Sequence, residues 1–341
     1  MEGQRSQLPP FAVQLLSADA QPDDEHFLSL FPASYRTELD DIAPPNLDDI
    51  ACVEKELDLR RLNKISDWLW VAGRPMPPRP LHHQLLLSRA IFVTEQMDMH
   101  LVWTTGRIFL KPVPRFLLEP RFWTDCLSCR PDCLCSTDAD EARPRGGARE
   151  CTHRRLWKGA LGFLFSYAAL ICHESDFLVA RDKHLLPAEV AWPAWRTFVK
   201  QLDTEHIYQK IDGRFVYGEL RLSRLNKIYL LSRRPFLRGY MSQWRQYGTF
   251  FQDNFAWLAS AVVYVGIVLT AMQVGLATKS LADNDAFQSA SYGFTVFSIV
   301  GPLAATGLIL FIFCYMFVNN WVVTIAYKKR RFRNIETRLG L

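Results

Sequence analysis

The sequence predicts a mainly α-helical protein: an α+β cytosolic domain with a small β-hairpin, followed by a two-helix transmembrane hairpin. Three observations carry that prediction. Two long uncharged runs lie near the C-terminus, Ala256–Ala277 and Phe294–Ala326. Apolar residues recur at helical spacing through much of the chain before them. One stretch, Met99–Pro114, instead alternates around Thr105-Gly106 and is rich in β-branched and aromatic residues, the signature of a hairpin.

Average composition hides this layout. The 341 residues are 49% hydrophobic and 22% charged, with a net charge of +5, which excludes a mostly disordered or collagen-like chain. Residues 328–341 hold six bases and one acid, so this tail alone accounts for the +5 and the rest of the chain is neutral. A globally basic nucleic-acid binder is not expected.

The elements follow in order. Residues 1–50 carry ten acids against Arg5 and Arg36 and read as an acidic, largely disordered arm with short ordered pieces near Phe27–Tyr35. No basic segment followed by an apolar core occurs in the first thirty residues, so no cleaved signal peptide is expected. Residues 51–250 form the cytosolic domain, with a disordered insert at 136–150 (STDADEARPRGGARE). Leu156–Cys172 is apolar but only 17 residues long, and Lys158 interrupts its start, so it reads as a buried helix, with a re-entrant or interfacial segment as the alternative. An internal echo stands out: Glu56–Ile65 (ELDLRRLNKI) and Glu219–Ile228 (ELRLSRLNKI) agree at eight of ten positions, each with an apolar stripe and a basic face. The first copy reads as an ordinary amphipathic helix. The second opens a basic juxtamembrane helix at 220–250, which has seven bases and no acid. Each such base contributes about 1 kcal/mol near an anionic leaflet.

Residues 251–327 are the transmembrane hairpin, with spans at about 256–277 and 294–318 and an interfacial turn expected after Asn319-Asn320. Twenty-two uncharged residues at 1.5 Å each are enough for a hydrocarbon core of about 30 Å. Trp257, Tyr292, Trp321 and Tyr327 sit where aromatic rings favour the headgroup level. The connector 278–293 has a net charge of −1, whereas both flanks are basic, so both termini are expected in the cytosol. Ala271/Gly275 and Gly301/Ala305 place small residues four apart, a spacing that permits close helix packing. The tail 328–341 ends the second span.

Of eight cysteines, four lie in the pattern C-x2-C-x3-C-x-C: Cys126, Cys129, Cys133 and Cys135. Thiolates at such spacing can share one tetrahedral ion, which makes structural zinc the metal hypothesis, against free or acylated thiols. His173-Glu174-Ser175-Asp176 reads as a helix C-terminal cap with solvated acids, and His82-His83 as a solvent-facing pair. GxSxG, HExxH, Walker A, GxGxxG and kinase motifs are absent, so the expectation is a non-enzymatic protein.

Four stretches carry a resemblance: 79–123, 160–177, 217–231 (YGELRLSRLNKIYLL) and 271–303. They resemble an uncharacterised family of fungal membrane proteins with a cytosolic domain and two C-terminal spans. The resemblance implies a fungal integral-membrane protein and transfers no activity, cofactor or site residue. A looser resemblance in architecture is to CorA-type magnesium channels, but their Gly-Met-Asn motif has no counterpart where this chain reads Gln273-Val274-Gly275. The functional expectation is therefore a membrane-anchored scaffold, sorting or regulatory factor, partnered by the bilayer and by anionic lipid at its cytosolic face. The alternative is a channel or transporter subunit. Two spans cannot enclose a pore alone, so that alternative requires a homo-oligomer with Gln273, Ser298, Thr306 and Asn319 lining it.

Overall fold

A computed structural model of the chain describes residues 9–16, 24–46, 50–129, 151–232, 240 and 247–339. They fall into two compact units, Met1–Met241 and Ser242–Leu341.

In the first unit, α1 (Asp24–Ser29) and the antiparallel pair β1 (Tyr35–Arg36) and β2 (Ile42–Ala43) come from the acidic arm. These are short ordered pieces of the kind expected near Phe27–Tyr35, and apolar anchors along the described parts of the arm enter the core. Phe11, Leu15, Phe27 and Leu30 are all buried. Phe11 meets Phe198 edge-on at 5.0 Å, and Phe31 stacks on Phe116 at 4.9 Å. Burying a side chain of this size contributes about 1.5–3 kcal/mol, enough to hold a polar segment down.

Short helices follow: α2 (Ala51–Glu56), α3 (Arg60–Asn63), α4 (Leu69–Ala72) and α5 (Leu81–Leu86). Next come strands β3 (Ala90–Val93), β4 (Val102–Thr104) and β5 (Arg107–Leu110), then α6 (Pro120–Asp125). The expected hairpin is present as β4–β5, with Thr104 opposite Arg107. Gly106 sits at φ +72°, a left-handed conformation that glycine adopts without steric cost. Two parallel partners widen the hairpin into a mixed sheet ordered β3-β5-β4-β6, where β6 (Leu220–Arg221) pairs Trp103 with Arg221. One face packs on the core through Val102, Ile108, Leu110 and Leu220, all fully buried.

Helix α7 (Thr152–Leu170) runs through that core, with 11 of its 19 residues buried around its circumference. This is the buried helix expected from its length, packed by protein on most of its surface. It breaks at Ile171 and turns by 115° into α8 (Glu174–Asp182). Helices α9 (Trp192–Gln201), α10 (Ile207–Lys210) and α11 (Leu222–Ser232) complete the unit. Residues 220–250 are therefore not one juxtamembrane helix. Among the described residues, Leu220–Arg221 belong to the sheet, α11 covers Leu222–Ser232, and Tyr240 is buried in the core. The repeated decapeptide explains part of this. In each copy the stripe (Leu59, Leu62, Ile65; Leu222, Leu225, Ile228) is buried, but the first copy makes a single turn of α-helix. The insert 136–150 lies outside the described residues.

The second unit comprises α12 (Tyr247–Leu276), α13 (Lys279–Ala282) and α14 (Asp285–Leu339). Two of its helices contain segments long and apolar enough to cross a membrane, Trp257–Leu276 and Asp285–Thr337. They pack through Leu258, Ala305, Ile309, Ile312 and Phe313. Large apolar side chains such as Leu303 and Phe311 point outward, 67% and 70% exposed, as a lipid-facing surface requires. Asn284 caps α14 by accepting from the Phe287 amide at 3.0 Å. The interfacial turn expected after Asn319-Asn320 is absent. α14 continues through 55 residues, about 80 Å, because no glycine or proline interrupts it beyond Gly307.

Candidate functional site

The cysteine pattern is only partly within the described residues: Cys133 and Cys135 lie outside them. Cys126 closes α6, and burial, with Asp125 beside it, pushes its thiol up to about 11. Cys129 is placed against Cys151, Sγ to Sγ 3.5 Å, a residue outside the predicted set. No group of three or more His, Cys, Asp or Glu side chains that could hold a metal ion occurs among the described residues.

His173–Asp176 does not cap the end of a helix; it starts α8. Asp176 is fully buried and accepts from the His173 amide at 3.0 Å. It also accepts from the His82 amide at 2.7 Å and faces His82 Nδ1 at 2.9 Å. His82 faces solvent in part, as expected, but is oriented by a carboxylate 94 residues away and ties α5 to α8. The capping spacing, a polar residue with an acid three positions on, is the sequence signal for the buried aspartate.

A second histidine has the appearance of a catalytic pair. His100 Nε2 lies 2.9 Å from Ser166 Oγ, both fully buried. The hydrogen-bond directions run the wrong way for nucleophile activation. His100 Nδ1 accepts from the Lys111 amide at 3.1 Å, so the ring proton is on Nε2 and points at the hydroxyl. Ser166 then donates to the Phe163 carbonyl at 2.6 Å. Burial first, then the Arg214 and Lys111 charges, holds His100 well below the usual imidazole range. This is a core fastening, not an acyl-transfer dyad.

Among the described residues of the first unit, two cavities of several hundred Å³ stand out. The larger, about 770 Å³, lies between the arm and the segments around Glu95 and Pro114. Its charges balance: Arg36, Lys55, Arg61 and Arg115 against Glu56, Asp58, Glu95 and Asp98. Most are paired, Arg61 with Asp98 at 2.9 Å and Glu56 with the buried Lys111 at 2.7 Å.

The smaller, about 410 Å³, is unbalanced. Arg74, Arg79, Arg89, Arg221 and Arg224 line it with Trp103, and its sole acid is Glu219. Close backbone approach builds it. A Cβ on Gly218 would lie 2.5 Å from the Met76 carbonyl oxygen, and one on Gly73 would lie 2.8 Å from that of Glu219. Those two glycines let the Pro-rich segment after α4 lie against the start of β6, and the Gly218 amide donates to Met76 O at 2.9 Å. Glu219 accepts from Arg79 Nε at 2.8 Å, Arg89 Nη1 at 2.6 Å and Gln84 Nε2 at 2.7 Å. Burial alone would raise its pKa; these donors outweigh burial and hold it at about 2. Arg89 lies 3.9 Å and Arg221 5.3 Å from the Trp103 ring centre, and Arg224 donates to the Val71 carbonyl at 3.0 Å. The sequence reading assigned Arg221 and Arg224 to a lipid-facing helix and left Arg74, Arg79 and Arg89 unassigned. The available signal was a sign reversal in the repeat, where Asp58 of the first copy is replaced by Arg221.

No curated protein and no solved structure matches the chain. Residues 50–302 match the model of a family of unknown function, DUF6601. That match takes in the first unit's four-stranded sheet and most of its core, the arginine-lined cavity and the first apolar helix. The chain belongs to the DUF6601 family.

Proposed function

We propose that the protein is an integral membrane scaffold or regulatory factor. It is anchored by two C-terminal spans, has both termini in the cytosol, and acts by binding rather than catalysis. One observation carries the reading most directly. α14 runs unbroken from an apolar, outward-facing segment into the turns bearing Lys328–Arg333. The Lys279–Asp285 connector by contrast has one base and two acids. Short basic segments resist translocation, so the tail and the chain before α12 stay on one side. The buried His100–Ser166 pair, with its proton pointing away from activation, supports a binding role over hydrolysis.

Protease protection tests the topology. A tag after Leu341 should be digested only when the plasma membrane of intact cells is permeabilised. Digestion without permeabilisation removes the assignment, and release of the full chain from membranes by alkaline carbonate removes the anchor itself. In detergent a monomer is consistent with the scaffold reading. A ring whose ion flux falls on Gln273→Ala would replace it with a channel.

A further inference from the structure

We propose that the arginine-lined cavity at the β4–β6 edge is a binding site for a phosphate-bearing anion. The inference rests on the first unit alone and does not depend on the membrane reading. Five arginines line one cavity of about 410 Å³ that has a single acidic residue in its wall. Arg79 and Arg89 already neutralise that carboxylate, and Gln84 completes its shell. It is a fixed part of the wall and leaves the other cations unmatched. Among the described residues no acid lies within ion-pair distance of Arg74, Arg221 or Arg224.

Like charges around a shared cavity repel one another. Here the fold fixes part of this array rather than letting it spread into solvent. Arg89 is only 7% exposed and stacked on Trp103, and Arg224 is bonded to the Val71 carbonyl. A multiply charged anion would relieve that repulsion. Guanidinium forks match phosphate oxygens two at a time, which favours phosphate over a single carboxylate. The volume, on the order of ten waters, admits a group larger than one phosphate. The half-buried Trp103 adds a flat apolar wall for the body that carries it. An inositol phosphate and a phosphoinositide headgroup share this chemistry.

The test uses the full-length protein. In detergent, inositol trisphosphate is titrated by calorimetry and by shift of the melting temperature. In nanodiscs, the protein is captured with soluble protein–lipid reporter discs containing or lacking phosphatidylinositol bisphosphate. Saturable binding in detergent identifies a soluble phosphate, and binding confined to phosphoinositide discs identifies a headgroup. Either supports the site, provided the variants agree. Arg221→Asp, which restores the residue of the first repeat copy, and Arg224→Ser alter exposed side chains, and an unchanged melting profile verifies folding. Together they should weaken binding by about tenfold or more, with a reduced salt dependence. Lys227→Glu, on α11 but outside the cavity, should keep binding near the parent value. No saturable binding to either probe overturns the proposal. So does an equal loss in Lys227→Glu, which would mean diffuse attraction to a basic surface.

Discussion

Glu219 and His100 show how a single buried group sets the response to acid. The folded pKa of Glu219 is held at about 2, below that of an unfolded glutamate, by Arg79, Arg89 and Gln84 against the opposing effect of burial. A depressed carboxylate contributes stability that is present above its unfolded pKa and is lost as pH falls toward the folded one. Glu219→Ala should therefore destabilise the protein at neutral pH by about 3 kcal/mol, since it strands two guanidinium groups, read as a lowered denaturation midpoint. His100 acts in a higher window. Its folded pKa lies below 6.5, so the unfolded chain takes up the proton first and stability falls as pH drops below 6.5. The slope for one proton is at most about 1.4 kcal/mol per pH unit. His100→Gln keeps a donor and an acceptor but does not titrate, so unfolding free energy measured between neutral pH and pH 5 should lose that slope. Neither residue was distinguishable in the sequence. Burial and partners far along the chain, such as Arg89 130 residues before Glu219, give each its properties.

At the scale of elements, periodicity and turn chemistry made the β4–β5 hairpin and α7 legible, because both depend on neighbours in sequence. The strands added by long-range pairing, β3 and β6, were not. β6 is two residues long and exists because Leu220 N–H reaches the Leu101 carbonyl at 2.9 Å. The described parts of the acidic arm likewise depend on partners far along the chain. Phe11, one of its four buried apolar anchors, meets Trp123 and Phe198, both over 100 residues away. Gly218 is the critical element junction. Alanine there would put a methyl 2.5 Å from Met76 O and 2.6 Å from Pro78 N, atoms of backbone that cannot swing aside. Gly218→Ala should cost about 1–3 kcal/mol and detach the Arg74–Arg79 segment from Glu219. Limited proteolysis should then cut near Met76 while cleavage elsewhere is unchanged. A variant as stable and as resistant as the parent would show that the segment does not depend on this contact.

At the scale of the whole molecule, charge segregation and two apolar runs disclosed the division into a folded unit and a helical hairpin. The place where the first unit ends was hidden. The basic segment after Glu219 reads as the lead-in to a membrane span, yet Tyr240 within it belongs to the core. That ring is 2% exposed, its hydroxyl donates to the Asp98 carbonyl at 2.7 Å, and it packs edge-on against Tyr229 at 5.2 Å. Arg61 donates to the Tyr240 carbonyl and lies 4.2 Å from its ring centre. A single residue thus fastens the end of the unit to α3 and to the turn before β4. The core residues of the first unit all lie between Phe11 and Tyr240, which predicts that residues 1–246 fold without the hairpin. That fragment should be soluble and unfold in one cooperative transition. Ending the chain at Ser232 removes Tyr240 and leaves Asp98 and Arg61 without it, at a cost of about 3 kcal/mol. Denaturant titration of the two fragments compares them directly: equal midpoints would mean that the unit closes before Tyr240, and a large drop for the shorter one would place its boundary beyond the basic segment.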